Sequence, residues 1–191
     1  MVQCGAPMTA EAFLAWERQQ PERHTYFRGE AFAMAGGSLR HSRLASRLIA
    51  LLDRILRGKS CDVHTSDLRL GLDATHFAYA DAAVICRPVE LRDGTTDVIT
   101  NPTVVVEVLS KSTESYDRGA KQAAYLALPS VRHFVLVAQR EQRVEVYTRE
   151  SDGSFRFRVH GAGESVRLER IEGAFAVDEL YEGAFALPGD D

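Results

Sequence analysis

The sequence predicts one α/β domain built on a largely buried sheet, and three observations carry that reading. Residues 103–110, TVVVEVLS, are aliphatic at alternate positions on both sides, as expected of a strand covered on both faces. An alanine-lined helical stretch at 116–128 and a second apolar strand at 133–138 follow, the pattern of a parallel strand–helix–strand crossover. A strongly two-sided helix at 38–57 precedes three strand-like segments, so the order reads helix, three strands, helix, strand.

The chain of 191 residues, 45% apolar, is long enough to bury one good core. No apolar run approaches the roughly 20 residues that cross a bilayer. Residues 1–8 have neither the basic start nor the apolar centre of a signal peptide, and no membrane partner is expected. Cys4, Cys61 and Cys86 are odd in number and far apart, without metal-binding spacing. They read as small apolar residues in a reduced, cytoplasmic setting. A formal net charge of −4 argues against a protein that coats nucleic acid, but leaves room for a local basic surface.

Taken in order, residues 9–20 form a helix capped by Thr9 and stopped by Pro21. Residues 24–34 make a hairpin turning at Arg28-Gly29, with Glu30 opening its second strand. The helix at 38–57 is capped by Ser38 and ends at Gly58; Leu44, Leu48, Leu51, Leu52 and Ile55 share one side. Arg40, Arg43, Arg47, Arg54 and Arg57 share another side, which is either a solvated face or a surface that tracks phosphates. His41 lies in the first turn on the apolar side, as a packed core residue or one that looks into a site at the sheet edge.

Strands are expected at 62–72, with a bend near Ser66-Asp67, and at 77–86, with Asp81 in its middle; a polar loop spans 87–101. On the helix at 116–128, Asp117, Lys121, Tyr125 and Leu128 share a face. A hairpin at 143–148 and 154–160, a short strand at 166–168, a helical turn at 177–181 and a polar tail at 184–191 complete the chain.

Glu107 is the residue that most needs explaining. Period-two alternation puts it on the face of Thr103, Val105 and Leu109, where an ionised carboxylate needs a cation, a metal or several donors. Asp81 sits in the preceding apolar strand, and neighbouring strands run roughly 4.8 Å apart, so the two acids can meet on one face. Paired oxygen ligands without a His or Cys cluster suit magnesium or manganese better than zinc. The same residues also fit a buried ion pair between Glu107 and Lys121 or an arginine. A paired-acid glycosidase fits the residue types too, but the chain lacks the aromatic residues of a sugar cleft.

From about residue 8 to 181 the sequence resembles the Uma-type family of restriction-endonuclease-like proteins. The matching pieces are Arg28-Gly29-Glu30, the segment Met34-Ala35-Gly36-Gly37-Ser38 with His41, Tyr79-Ala80-Asp81, and Val106 to Ser110 with Ser112-Thr113. Asp117-Arg118, Lys121 and Tyr125 complete the set. The resemblance implies a PD-(D/E)XK nuclease fold, with a core over about 24–148 and β-hairpins added at both ends. It also implies magnesium-dependent hydrolysis of phosphodiester bonds, with DNA as substrate and a homodimer as the assembly.

By that resemblance Asp81 stands for the first acid and Glu107 for the second. Leu109 occupies the position of the motif's lysine, and Lys121 looks like its migrated replacement, orienting and helping to deprotonate the attacking water. Asp81, Glu107 and the Val108 carbonyl would hold magnesium or manganese, with Glu30 and His41 flanking the site and Arg40, Arg43 and Arg47 meeting DNA. Ala80 and Lys111 stand where the family usually has proline. The other implied possibility is a nuclease fold without activity, used to bind nucleic acid or regulate.

Overall fold

The computed structural model of the chain describes residues 2–34 and 36–189; Ala35, within one of the motif segments above, and the last two residues of the expected tail lie outside them. Two six-stranded sheets and a short two-stranded ribbon make up the fold. The core sheet runs β12 (Phe155–His160), β11 (Val144–Arg149), β10 (His133–Val137), β9 (Pro102–Val108), β7 (Ala82–Cys86), β4 (Cys61–Thr65). As expected, β9 and β10 pair in parallel, with Val106 opposite Val135, and the other neighbours are antiparallel.

The alternation along β9 decides what covers each face. Val104, Val106 and Val108 pack with the leucines of α2 (Leu39–Leu56), whereas Val105 and Leu109 join Tyr125, Phe134 and Leu136 on the opposite side. Ser38 caps α2 through its hydroxyl, which accepts from the His41 N–H at 3.2 Å. Thr9 caps α1 (Ala10–Glu17) in the same way.

The second sheet runs β1 (Val2–Cys4), β3 (Glu30–Ala33), β2 (His24–Phe27), β6 (His76–Tyr79), β5 (Arg69–Asp73), β8 (Val98–Ile99). It absorbs the N-terminal hairpin, whose two-residue turn has positive φ at Arg28 (49°) and Gly29 (96°), the primed geometry that matches strand twist. Two long strands expected from the sequence are each divided between the sheets: 62–72 becomes β4 and β5, and 77–86 becomes β6 and β7. Asp81 therefore lies at the step between sheets, not inside a strand. The polar segment 87–101 likewise contributes β8.

The crossover helix also departs from the expectation. It begins as α3 (Glu114–Tyr116), winds widely through Asp117–Lys121 with a break at Gly119 (φ −106°, ψ −109°), and resumes as α4 (Gln122–Ala127). Glycine is a poor helix former and the local place to break, and such wide turns cluster at functional sites.

Two further expectations are corrected. Cys61 and Cys86 are cross-strand partners on β4 and β7 and form a disulfide, so reduced thiols do not describe that pair. The C-terminal segment, read as a polar tail, packs on α2 after β13 (Ser165–Leu168), β14 (Gly173–Ala176) and α5 (Val177–Tyr181), and Ala184 is fully buried. It engages four of the five arginines of the basic stripe, and Arg57 pairs with Asp53 of its own helix. Arg40 donates to the Leu187 carbonyl at 2.9 and 3.1 Å and to the Gln139 carbonyl at 3.2 Å. Arg43 donates to the Glu182 carbonyl, Arg47 to the Glu179 carbonyl and the Glu182 carboxylate, and Arg54 to the Glu179 carboxylate. Carbonyls and carboxylates of one chain thus take the place of the phosphates expected to meet Arg40, Arg43 and Arg47. Arg40→Ala should lower stability by about 2 kcal/mol, because three carbonyl contacts lose a charged donor; the midpoint of urea unfolding measures it.

Candidate active site

The step between the sheets brings the acids together. In the β7–β9 ladder Ala82 lies opposite Val106, so the next position back sets Asp81 beside Glu107. The Val108 N–H donates to Asp81 Oδ2 at 2.7 Å, and His41 Nε2 lies 3.3 Å from the same oxygen. Burial works against the Asp81 carboxylate, but His41 and the Val108 N–H outweigh it and hold its pKa below the ordinary value.

Glu107 lines the same pocket and is 3% exposed. Lys121, carried inward by the wide turn, sets Nζ 2.8 Å from Glu107 Oε1 and 3.5 Å from Asp117 Oδ1. The 2.8 Å approach of the Lys121 ammonium is what meets Glu107 Oε1 in its buried position, and the Tyr125 hydroxyl is buried without a hydrogen-bond partner among the described residues. Thr113 donates to Asp117 Oδ2 at 2.6 Å and shares a 2.8 Å bond with the Ser110 hydroxyl, tying the loop after β9 to the helix. Gln139 donates to the Leu109 carbonyl at 2.7 Å and accepts from Ser38 at 2.8 Å, which fixes the strand end against the start of α2.

Burial, then the charges of Asp81 and Asp117, pushes Glu107 up to about 8 in spite of Lys121. Burial lowers the Lys121 pKa, but Glu107 and Asp117 more than reverse this, so its ammonium stays charged. A charged ammonium donates hydrogen bonds.

A cavity of about 110 Å³ is walled by Asp81, Glu107, Val108, Asp117, Lys121 and His41, with Tyr79, Tyr116 and the hairpin's Ala33 and Met34. Glu30 stands at the far, turn-side end of the strand that supplies Ala33. A larger cavity of about 580 Å³ adjoins through Ser110, but its Arg118 and Arg143 are already matched by the buried Glu145. Its chemistry is that of a structural ion-pair cluster.

Among the described residues no group of three or more His, Cys, Asp or Glu side chains is arranged to hold a metal ion. The donors nevertheless fit a hard divalent cation. Three carboxylates and one lysine share a pocket, and burial together with the charges of Asp81 and Asp117 keeps the proton on Glu107. Magnesium accepts two carboxylates and completes its shell with carbonyl and water oxygens.

A mixed sheet covered by α2 on one face and a crossover helix on the other, with paired acids at the break and a lysine reaching in from the helix, defines the class: a restriction-endonuclease-like nuclease fold. A solved structure supports it, a "putative nuclease belonging to DUF820" from Anabaena variabilis. The likeness has a TM-score of 0.76 at 16% identity and covers 93% of this chain and 99% of that one. The chain belongs to the Uma2 family, described as "Putative restriction endonuclease", whose model matches residues 10–178. Two relatives come from Synechocystis: the uncharacterized protein slr1290, 37% identical and covering 92% of both chains, and sll1609, 31% identical over 76% of this chain and 82% of its own.

The structure thus gathers Asp81, Glu107, Val108, Lys121 and His41 around one pocket, and sets Glu30, Arg40, Arg43 and Arg47 elsewhere. Sequence reasoning placed Asp117 on the Lys121 face without giving it a role, and passed over Tyr116 and Gln139. Asp117 had a usable signal, since it lies four residues before Lys121 on the same helix face. Gln139 had none, because its role depends on a loop conformation.

Proposed function

We propose that the chain is a divalent-metal-dependent nuclease that hydrolyses phosphodiester bonds in DNA. The observation that carries this is the Glu107–Lys121 pair buried at the wall of the same cavity as Asp81. Asp81, Glu107 and the Val108 carbonyl would hold magnesium or manganese, which when bound would lower the pKa of water and neutralise charge on the phosphoryl group. Lys121 donates to the attacking water or to a non-bridging oxygen, and Asp117 and Thr113 hold the lysine's approach. His41 fixes Asp81 from the start of α2.

The test is a cleavage assay with manganese over single- and double-stranded DNA and RNA, beside Glu107→Ala. Cutting of DNA that the variant loses supports the reading; equal traces from both proteins mean contamination and sink it. The second reading is an inactive nuclease fold that binds nucleic acid, favoured by the lack of a three-ligand cluster among the described residues. It predicts retention of an oligonucleotide with no metal uptake.

Metal binding should also displace a proton. With Glu107 pushed up to about 8, manganese uptake at neutral pH must release about one proton, and none well above that pH. Calorimetry in two buffers of different ionisation enthalpy counts it, and Glu107→Ala should abolish both the heat and the proton.

A further inference from the structure

The proposed mechanism leaves one pair at the pocket unused, a half-buried tyrosine and a buried histidine. Tyr116 closes the wall beside Lys121, whose Nζ sits 6.0 Å from the ring centre, and its hydroxyl lies 2.9 Å from His76 Nε2. His76 comes from β6, in the second sheet, and is fully buried. Its ring is wedged edge-on against Phe27 at 4.9 Å, and its Nδ1 has no hydrogen-bond partner among the described residues.

The tautomer follows from that orphan. Burial drives the His76 pKa down to about 4, with the charges of Lys121 and Arg28 acting in the same direction and Asp73 opposing, so the ring is neutral at working pH. A neutral ring carries one hydrogen. If it were on Nδ1, a buried N–H would go unmet; placed on Nε2, the orphan is only a lone pair, the cheaper of the two. Nε2–H then donates to the Tyr116 oxygen and uses one of its lone pairs. The phenolic hydrogen cannot point back at that donor and is left for the pocket. Burial also raises the Tyr116 pKa to about 12, so the phenol keeps this hydrogen at every working pH.

We infer that Tyr116, held by His76, donates its phenolic hydrogen bond to an oxygen of the scissile phosphoryl group. This rests on the nuclease reading and adds a second donor beside Lys121, supplied through the second sheet. A fixed neutral donor suits an oxygen on which negative charge builds, since it neither titrates nor reorganises when the charge appears. No proton is transferred: Tyr116 begins and ends the reaction protonated, and His76 is a positioning residue that acts only through it.

Two measurements test the inference. Histidine-selective ¹⁵N NMR reads the His76 tautomer directly, and the expected result at neutral pH is a protonated Nε2 with a bare Nδ1. Protonation at Nδ1 overturns the inference whatever the protein cuts. In manganese cleavage assays Tyr116→Phe keeps the ring over Lys121 and removes only the hydroxyl. It should lower kcat roughly 10- to 100-fold, with KM and manganese affinity unchanged, and His76→Gln, which retains an N–H donor, should keep more activity than His76→Leu. An unchanged kcat, or a loss that appears equally in manganese affinity, overturns the inference while the nuclease reading stands. A wild-type protein that binds manganese but cuts nothing overturns both.

Discussion

Glu107→Gln is expected to abolish cleavage and make the protein more stable. Burial penalises the carboxylate, whose pKa is pushed up to about 8 from an ordinary 4.5. As pH rises through that window the unfolded chain loses its proton first, while the folded chain retains it. Wild-type stability therefore falls by about 1.4 kcal/mol per pH unit between those values, on account of this one group. Glutamine has no proton to lose. The variant should match the wild type near pH 4.5, exceed it by a few kcal/mol at neutral pH, and hold its advantage above pH 8. Thermal unfolding across pH reads this, and manganese calorimetry on the same samples should show binding lost. A variant less stable than wild type at neutral pH would mean that the ion pair with Lys121, not the protonated acid, is the resting state.

That opposition between stability and site explains why Glu107 was legible in the sequence. A carboxylate in a valine run breaks the rule that governs its neighbours, and such breaks gather where function is. The alternation that assigned Glu107 to the Val105 and Leu109 face was equally readable, because a one-residue slip would have sent every valine to the wrong layer. Lys121 needed the resemblance, since nothing local says that a lysine 14 residues later fills the place vacated at Leu109.

What the sequence hid was geometry that arises between segments. Residues 77–86 alternate like a single strand, yet the chain passes from one sheet to the other at Ala80-Asp81, a step fixed by packing against the N-terminal hairpin. The arginines of α2 have the spacing of a phosphate track and are spent on carbonyls of the C-terminal segment about 140 residues away. Charge periodicity is visible along a helix. Whether the partner is solvent, nucleic acid or the chain itself is decided by long-range contacts that no window contains.

Lys121→Met should give the largest loss of stability at the site, because it removes the cation and leaves the acids. Asp117 and, above about pH 8, Glu107 would be left as buried carboxylates at the vacated ammonium position, and breaking a buried pair from one side costs about 3–5 kcal/mol. The cost should grow with pH. Without Lys121, the burial and like charges that already raise Glu107 act unopposed, so the acid stays protonated further into the alkaline range, and forcing it to ionise unfolds the protein. Adding Glu107→Gln to Lys121→Met should restore much of the lost stability, since a neutral amide beside a thioether leaves only Asp117, which Thr113 still satisfies. A coupling energy near zero in that double-mutant cycle, read from urea midpoints at neutral and alkaline pH, would show that the 2.8 Å contact carries no energy. A large coupling that increases with pH would show the pair to be the electrostatic hinge between fold and chemistry: Glu107 is tolerated in the core because Lys121 reaches it, and Lys121 reaches it because the helix breaks at Gly119.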